Sequence, residues 1–238
     1  MNYFSVAHQR RSEITCQIYN LTKGIVATGP FQGMYIDKSA QWGDGDIGSK
    51  LLGCYESELH PYIEKMISSQ PDCLVNVGCG EGFYGVGIGR KSPLTKITMI
   101  DVQQRMLDTS KYNASRNNVM SDFSLESTPE KLEELLHPFK NPALVMDCEG
   151  FEMDLIRPDL VPSLRKTMMI VELHDFMRPN ITSILKERCG KTHTIIDISQ
   201  GAKNPYLPIV SHLSDWDKML ICVEGRPCTM HWFIMTPV

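Results

Sequence analysis

From residue 73 onward the chain alternates short apolar runs with segments whose apolar positions recur at helical spacing. The runs at 73–77, 97–100, 122–125, 143–146, 168–173, 194–198 and 232–235 are of strand length, and their alternation with helical segments predicts a parallel sheet covered on both faces. Thr128 and Pro129 open one of the helices as N-cap and first residue, and Leu132, Leu135 and Leu136 give it an apolar side. Ser214 and Asp217 are spaced like a capping box ahead of Met219, Leu220 and Val223, so the segment before Gly225 is expected to be a helix and the final run a last strand.

The first 70 residues are patterned differently. Residues 14–20 alternate loosely and carry β-branched side chains, and 25–28 followed by Gly29-Pro30 reads as a short strand and its end. The acidic, glycine-rich WGDGDIG from Trp42 to Gly48 is expected to be a loop, whereas Leu59, Ile63, Met66 and Ile67 recur as on a helix that Gln70-Pro71 stops. The predicted organisation is an N-terminal extension and lid over 1–70, then a Rossmann-like α/β domain over 71–238.

Composition narrows the class without naming it. With 238 residues and 42% hydrophobic content the chain can build one substantial core. A net charge of −4 leaves no footprint for wholesale phosphate neutralisation, so no nucleic-acid partner is expected. No run reaches the roughly 18 apolar residues of a membrane helix, and the N-terminal stretch lacks an apolar core of signal-peptide length, so the expected location is cytoplasmic, away from membranes. The eight cysteines show no C-x-x-C pair and are read as reduced, several acting as small hydrophobes.

Candidate chemistry gathers where the strands end, because ligands of open α/β sheets bind beyond the carboxyl ends near the point where strand order reverses. The first strand runs into VGCGEG, with Gly78, Gly80 and Gly82 at alternate positions and Cys79 and Glu81 between them. Such a turn lets backbone lie against a ligand. The second strand ends at Asp101, nineteen residues beyond Gly82, a placement suited to a ribose diol. The fourth ends in DCEGFE, from Asp147 to Glu152, and the fifth in Glu172-Leu173-His174-Asp175.

The glycine spacing is G-x-G-x-G, one residue short of the dinucleotide pattern, and a carboxylate inside the turn would repel a pyrophosphate while tolerating a cationic ligand. That favours S-adenosylmethionine over NAD. The stretch resembles motif I of the class I S-adenosylmethionine-dependent methyltransferases. DCEGFE followed by Glu172-Leu173-His174, with KLLGCYESELHPYIEKMI upstream, is similar to the FkbM-like members over about residues 48–199. The resemblance implies a seven-stranded sheet with a reversed last strand and methyl transfer to an oxygen of a small molecule or sugar. It also implies that Gly78, Gly80 and Gly82 contact the cofactor, that Glu81 lies near its amino-acid end and Asp101 holds its ribose. Val102 and Gln103 would flank adenine, with Asp122 and Phe123 reaching its amine and face. Asn76 stands where motif I commonly begins with an acid.

For the chemistry, His174 is the candidate base, with Asp147 and Glu172 to orient it or take the proton. Asp147, Glu149, Glu172 and His174 could alternatively hold a divalent metal that binds the acceptor oxygen. Glu152 is expected to be an N-terminal charge of the following helix. Trp42, Tyr55 and Tyr84 are candidate apolar walls under a lid drawn from residues 30–60. The alternatives are a non-catalytic S-adenosylmethionine-binding module and an NAD-dependent oxidoreductase.

Overall fold

The structure is a computed structural model describing residues 3–40 and 46–238; Trp42 and most of the WGDGDIG loop lie outside the described residues. In chain order it contains α1 (Tyr3–Thr22), α2 (Ile47–Leu52), α3 (His60–Ser68), β1 (Cys73–Val77), α4 (Phe83–Lys91), β2 (Lys96–Ile100) and α5 (Gln104–Arg116). These are followed by β3 (Ser121–Ser124), α6 (Pro129–Leu136), β4 (Pro142–Met146), α7 (Glu152–Leu155), β5 (Met168–Leu173), α8 (Ile181–Cys189), β6 (His193–Ser199), α9 (Asp215–Cys222) and β7 (His231–Pro237). No helix among the described residues is long and apolar enough to cross a membrane.

Two compact units emerge, one of residues 1–60 with 201–227 and one of 61–200 with 228–238. The boundary therefore falls ten residues before the one expected, and a late segment returns to the N-terminal unit. Residues 14–20, read as loosely strand-like, lie inside α1. Ile14 and Ile18 are buried one helical turn apart, but Arg11 and Thr15 share the buried side and interrupt the apolar stripe, which hid the helical period. Within this unit α1 is tied to α9 by a two-pronged contact: Arg10 Nε donates to Asp217 Oδ1 at 2.9 Å and Nη2 to Oδ2 at 2.7 Å. The Arg10 guanidinium holds the Asp217 carboxyl below its ordinary range. Residues 25–28 form no strand and contribute only the bridge from Ile25 to Tyr35.

The second unit is a seven-stranded sheet in the order β3-β2-β1-β4-β5-β7-β6. All pairings are parallel except those of β7, which runs antiparallel to both β5 and β6. This is the Rossmann-like methyltransferase fold, with the reversed strand in its expected sense. β1, β4 and β5 are buried along their whole length, so they appear in the sequence as nearly continuous apolar runs, interrupted by Asn76 in β1 and Glu172 in β5. One face of the sheet, with Val75, Val77, Leu144, Met146, Val171 and Leu173, packs a single core with Leu132 and Leu136 of α6 and Ile181 and Leu185 of α8. Thr128 caps α6 as expected, its hydroxyl accepting from the Lys131 amide at 3.2 Å, and Ser214 caps α9 by accepting from the Asp217 amide at 3.2 Å.

The strand order reverses between β1 and β4, which places the crevice beyond their carboxyl ends. Rigidity there depends on the core below it. Replacing Leu144, fully buried at the centre of β4, by Ala is expected to cost about 2–5 kcal/mol, measured as a lower urea midpoint at unchanged slope; a loss below about 1 kcal/mol would mean that β4 is not the centre of this core.

Candidate functional site

The cofactor side begins with backbone geometry. Gly78, Gly80 and Gly82 have φ of 68°, 53° and 87°, all in the left-handed region that glycine adopts without a steric penalty. Gly78 is constrained further: a Cβ there would stand 1.5 Å from the Asp147 carbonyl oxygen, so no other residue fits without moving β4 away from the turn. The Asp147 amide in turn donates to the Val77 carbonyl at 3.0 Å. The ends of β1 and β4 are thus locked together by main chain.

The turn is clamped from two further directions. Asp101, buried at the tip of β2, accepts from the Gly80 amide at 3.0 Å and from the Gln103 amide at 2.8 Å, one bond to each oxygen. Each oxygen has capacity for a further donor, as a ribose diol would require. From α5, the Ser110 hydroxyl donates to the Gly80 carbonyl at 2.7 Å and the Asn113 amide to the Glu81 carbonyl at 2.9 Å. Glu81 is itself buried. Burial pushes the Cys79 thiol up to about 12, so it is a packing group and no nucleophile. Asn76 accepts from the Gly85 amide at 3.0 Å, joining β1 to α4; this is the local task of its side chain.

Two predicted adenine contacts are placed differently. Asp122 and Phe123 lie within β3 instead of after it. The Asp122 carboxylate is 3.3 Å from Lys96 Nζ at the start of β2, on the rim of a 590 Å³ cavity between Gly89 and Asp122 at the amino-terminal edge of the sheet. Val102 remains at the carboxyl edge, where it is 73% exposed, available to pack a flat ligand beside Gln103. Tyr84, the wall candidate in this unit, is paired edge-to-face with Phe83 on α4.

The acceptor side assembles at the ends of β4 and β5. His174 follows β5, and its carbonyl accepts from the amides of Met177 and Arg178 in the turn that carries the chain away from the sheet. Its Nδ1 is 2.7 Å from Glu152 Oε1, whereas Nε2 is 3.5 Å from Asp147 Oδ1 and 3.4 Å from Glu149 Oε2. Burial alone would lower the imidazole's pKa, but the bond to Glu152 and the charges of Asp147, Glu152 and Glu149 outweigh it and raise it above the ordinary 6.5. The site favours positive charge at this point.

Glu172 does not join this cluster. Val171 and Leu173 point into the core shared with α6 and α8, so strand alternation turns Glu172 to the opposite face. Its expected role of orienting His174 is taken by Glu152, whose carboxylate is fully buried and also accepts from the Gly150 amide at 3.2 Å. Glu152 opens α7 as expected, but its buried contact with His174 was not readable, because α7 is four residues long and has no period to reveal an inward acid. Glu149 and Gly150 both adopt positive φ, 54° and 97°, and Arg178 Nη1 holds the Gly150 carbonyl at 3.0 Å, folding the β4–α7 loop back over His174.

This sheet order, with a clamped glycine turn at the switch point and an acidic tip on the neighbouring strand, defines a class I methyltransferase fold. Comparisons with known proteins agree. A family model described as "Methyltransferase small domain" matches residues 43–142, ending at the first residue of β4. A ribosomal RNA small subunit methyltransferase C from Ectopseudomonas mendocina is 28% identical over 120 residues, 49% of this chain; the chain spans about a third of that relative, 32% of its length. Among solved structures, an O-methyltransferase from Bacillus cereus aligns with a TM-score of 0.52 at 9% identity, covering 76% of this chain and 81% of the other. An rRNA methylase from Streptococcus thermophilus aligns at 0.50 and 10% identity, covering 76% and 96%. The two structures show the fold alone. The family model and the sequence relative are both methyltransferases.

The Gly78 contact gives a direct test. Gly78→Ala is expected to be less stable by about 2 kcal/mol or more, read from chemical denaturation, whereas Gly201→Ala, with open space around the new Cβ, should fall within about 0.5 kcal/mol of wild type. Equal stability of the two variants would show that the turn and β4 are not in the contact described.

Proposed function

We propose that the protein transfers a methyl group from S-adenosylmethionine to an oxygen, most simply a hydroxyl of a small molecule or sugar, as FkbM-like methyltransferases do. The observation that carries this reading is the convergence of His174 Nε2, Asp147 and Glu149 at the edge of the crevice, directly beside the glycine turn through the Gly78–Asp147 contact. Asn76, Gly78, Cys79, Gly80, Glu81 and Gly82 shape the turn that would hold the cofactor, Asp101 takes the ribose, and Val102 and Gln103 border the adenine. The cofactor supplies a methyl already activated by a sulfonium. What remains for the chain is to hold the acceptor in line, worth about 7–11 kcal/mol, and to take the hydroxyl proton, worth roughly 10²–10⁴ in rate. The converging carboxylates take that proton, and His174, oriented by Glu152, holds them and the acceptor in register.

A second reading follows from the Ectopseudomonas relative, which by its name acts on ribosomal RNA. A nucleic-acid acceptor would contradict the expectation drawn from net charge. The oxygen reading is preferred because the family match stops at residue 142, before Asp147 and His174, so the acceptor side has to be judged on its own residues. An acceptor screen containing sugars, phenols and a small-subunit rRNA fragment decides between them by the product formed.

Calorimetric titration is expected to give saturable binding of S-adenosylmethionine and of its demethylated product, with NAD binding more weakly; absent binding of both sulfur compounds, or tighter NAD, would overturn the methyltransferase reading in favour of an oxidoreductase. His174→Ala should retain cofactor affinity and lose turnover by about 10²-fold or more. Intact turnover in that variant would remove the cluster from the chemistry, and a wild-type protein that binds the cofactor but methylates nothing in the screen would point to a binding module.

A further inference from the structure

We propose that His174 Nε2, Asp147 and Glu149 form a binding site for one divalent cation, with Glu152 as the group that orients the histidine. One donor atom from each of the three residues lies within 4.8 Å of the other two, close enough to share a cation with modest side-chain movement. The histidine supplies an observation independent of the acidic cluster. Its side chain is 3% exposed, its Nδ1–H is committed to Glu152 Oε1 at 2.7 Å, and its Nε2 therefore aims at the two carboxylates. Nε2 faces Asp147 Oδ1 at 3.5 Å and Glu149 Oε2 at 3.4 Å, so the three groups leave a place for one positive charge between them, which a bound cation fills in the way a proton on Nε2 otherwise would.

The pattern of carboxylate, imidazole and cation is the one by which proteins fix the tautomer of a metal-bound histidine and raise its basicity. Burial is graded in the sense such a site needs: Glu152 at 0% and His174 at 3% form the fixed base, while Asp147 at 37% and Glu149 at 58% face solvent, from which the cation and further oxygen ligands enter. Two carboxylates and one imidazole suit magnesium, manganese or zinc without discriminating sharply among them. Glu172 is excluded from the set by the strand alternation that faces it away. Resting on the oxygen-transfer reading, the cation's role is to hold the acceptor oxygen at this point and lower its pKa.

The test is Mn²⁺ alone, titrated against the full chain without cofactor and followed by loss of the free-ion paramagnetic resonance signal. One ion per chain is expected. Glu149→Gln, at a solvent-facing position that threatens no core, should weaken binding about tenfold or more, and Glu152→Gln, which touches no ion, should weaken it about 10–100-fold. His174→Ala should abolish it. Unchanged Mn²⁺ affinity in Glu149→Gln or Glu152→Gln, or no bound ion in the wild type, overturns the site. S-adenosylmethionine affinity measured on the same samples separates the two readings: cation binding without cofactor binding upholds the metal site and sinks the methyltransferase, and cofactor binding without cation binding does the reverse.

Discussion

The approach of Gly78 to the carbonyl of Asp147 is the contact on which the site depends. It is possible only for a residue without Cβ and with a left-handed backbone, and it brings the end of β1 against the end of β4 where the strand order reverses. The turn after β1 shapes the cofactor crevice, and the residue supplying the carbonyl also supplies a carboxylate to the acceptor cluster. The glycine turn and the polar cluster beside His174 are therefore held in register by one main-chain contact rather than by flexible side chains. Asp101, Ser110 and Asn113 then fix the turn from β2 and α5, so that its amides and carbonyls are committed before any ligand arrives.

Why the sheet was legible is a matter of burial. Strands covered on both faces are apolar along most of their length, so the boundaries of β1 and β5 agree with the sequence reading and the others differ by one or two residues. α1 was not legible, because the side it buries contains Arg11 and Thr15 beside Ile14 and Ile18. The return of residues 201–227 to the N-terminal unit was not legible either, since it rests on long-range pairs such as Arg10 with Asp217 that leave no local period. In the site, residues named for lying at strand ends were found there: Asp101, Asp147 and His174. Asp122 was misplaced because it opens the run read as the third strand and so lies at its amino-terminal edge, paired with Lys96, rather than beyond the carboxyl end. Glu172 was misplaced for a related reason, since being adjacent to a strand end does not decide which face a side chain takes.

The acceptor cluster carries an electrostatic constraint that narrows its chemistry. A fully buried carboxylate such as Glu152 costs several kcal/mol in lost hydration, and here its nearest ionisable partner is the imidazole of His174. That partner compensates best when it is positive or bound to something positive, and two further carboxylates on its other nitrogen push the same way. The arrangement would be wasteful for a histidine meant to remain neutral. It is economical for one that shares a positive charge with Asp147 and Glu149.

The division of the family match sharpens the same point. Similarity to the small-domain methyltransferases ends where β4 begins, so it covers the glycine turn and Asp101 and omits the loop from Asp147 to Glu152 and the turn at His174. A fold of this kind transfers its cofactor site between enzymes with little change, because the backbone geometry at the switch point leaves few alternatives. The ends of β4 and β5 lie beyond the matched residues, and their side chains and loop conformation are this chain's own. The positive φ at Glu149, in a loop held by Arg178 on the Gly150 carbonyl, is strain of the sort that persists when a loop must aim a particular group. Here the group aimed is a carboxylate, and its target is the Nε2 of His174, 3.4 Å away.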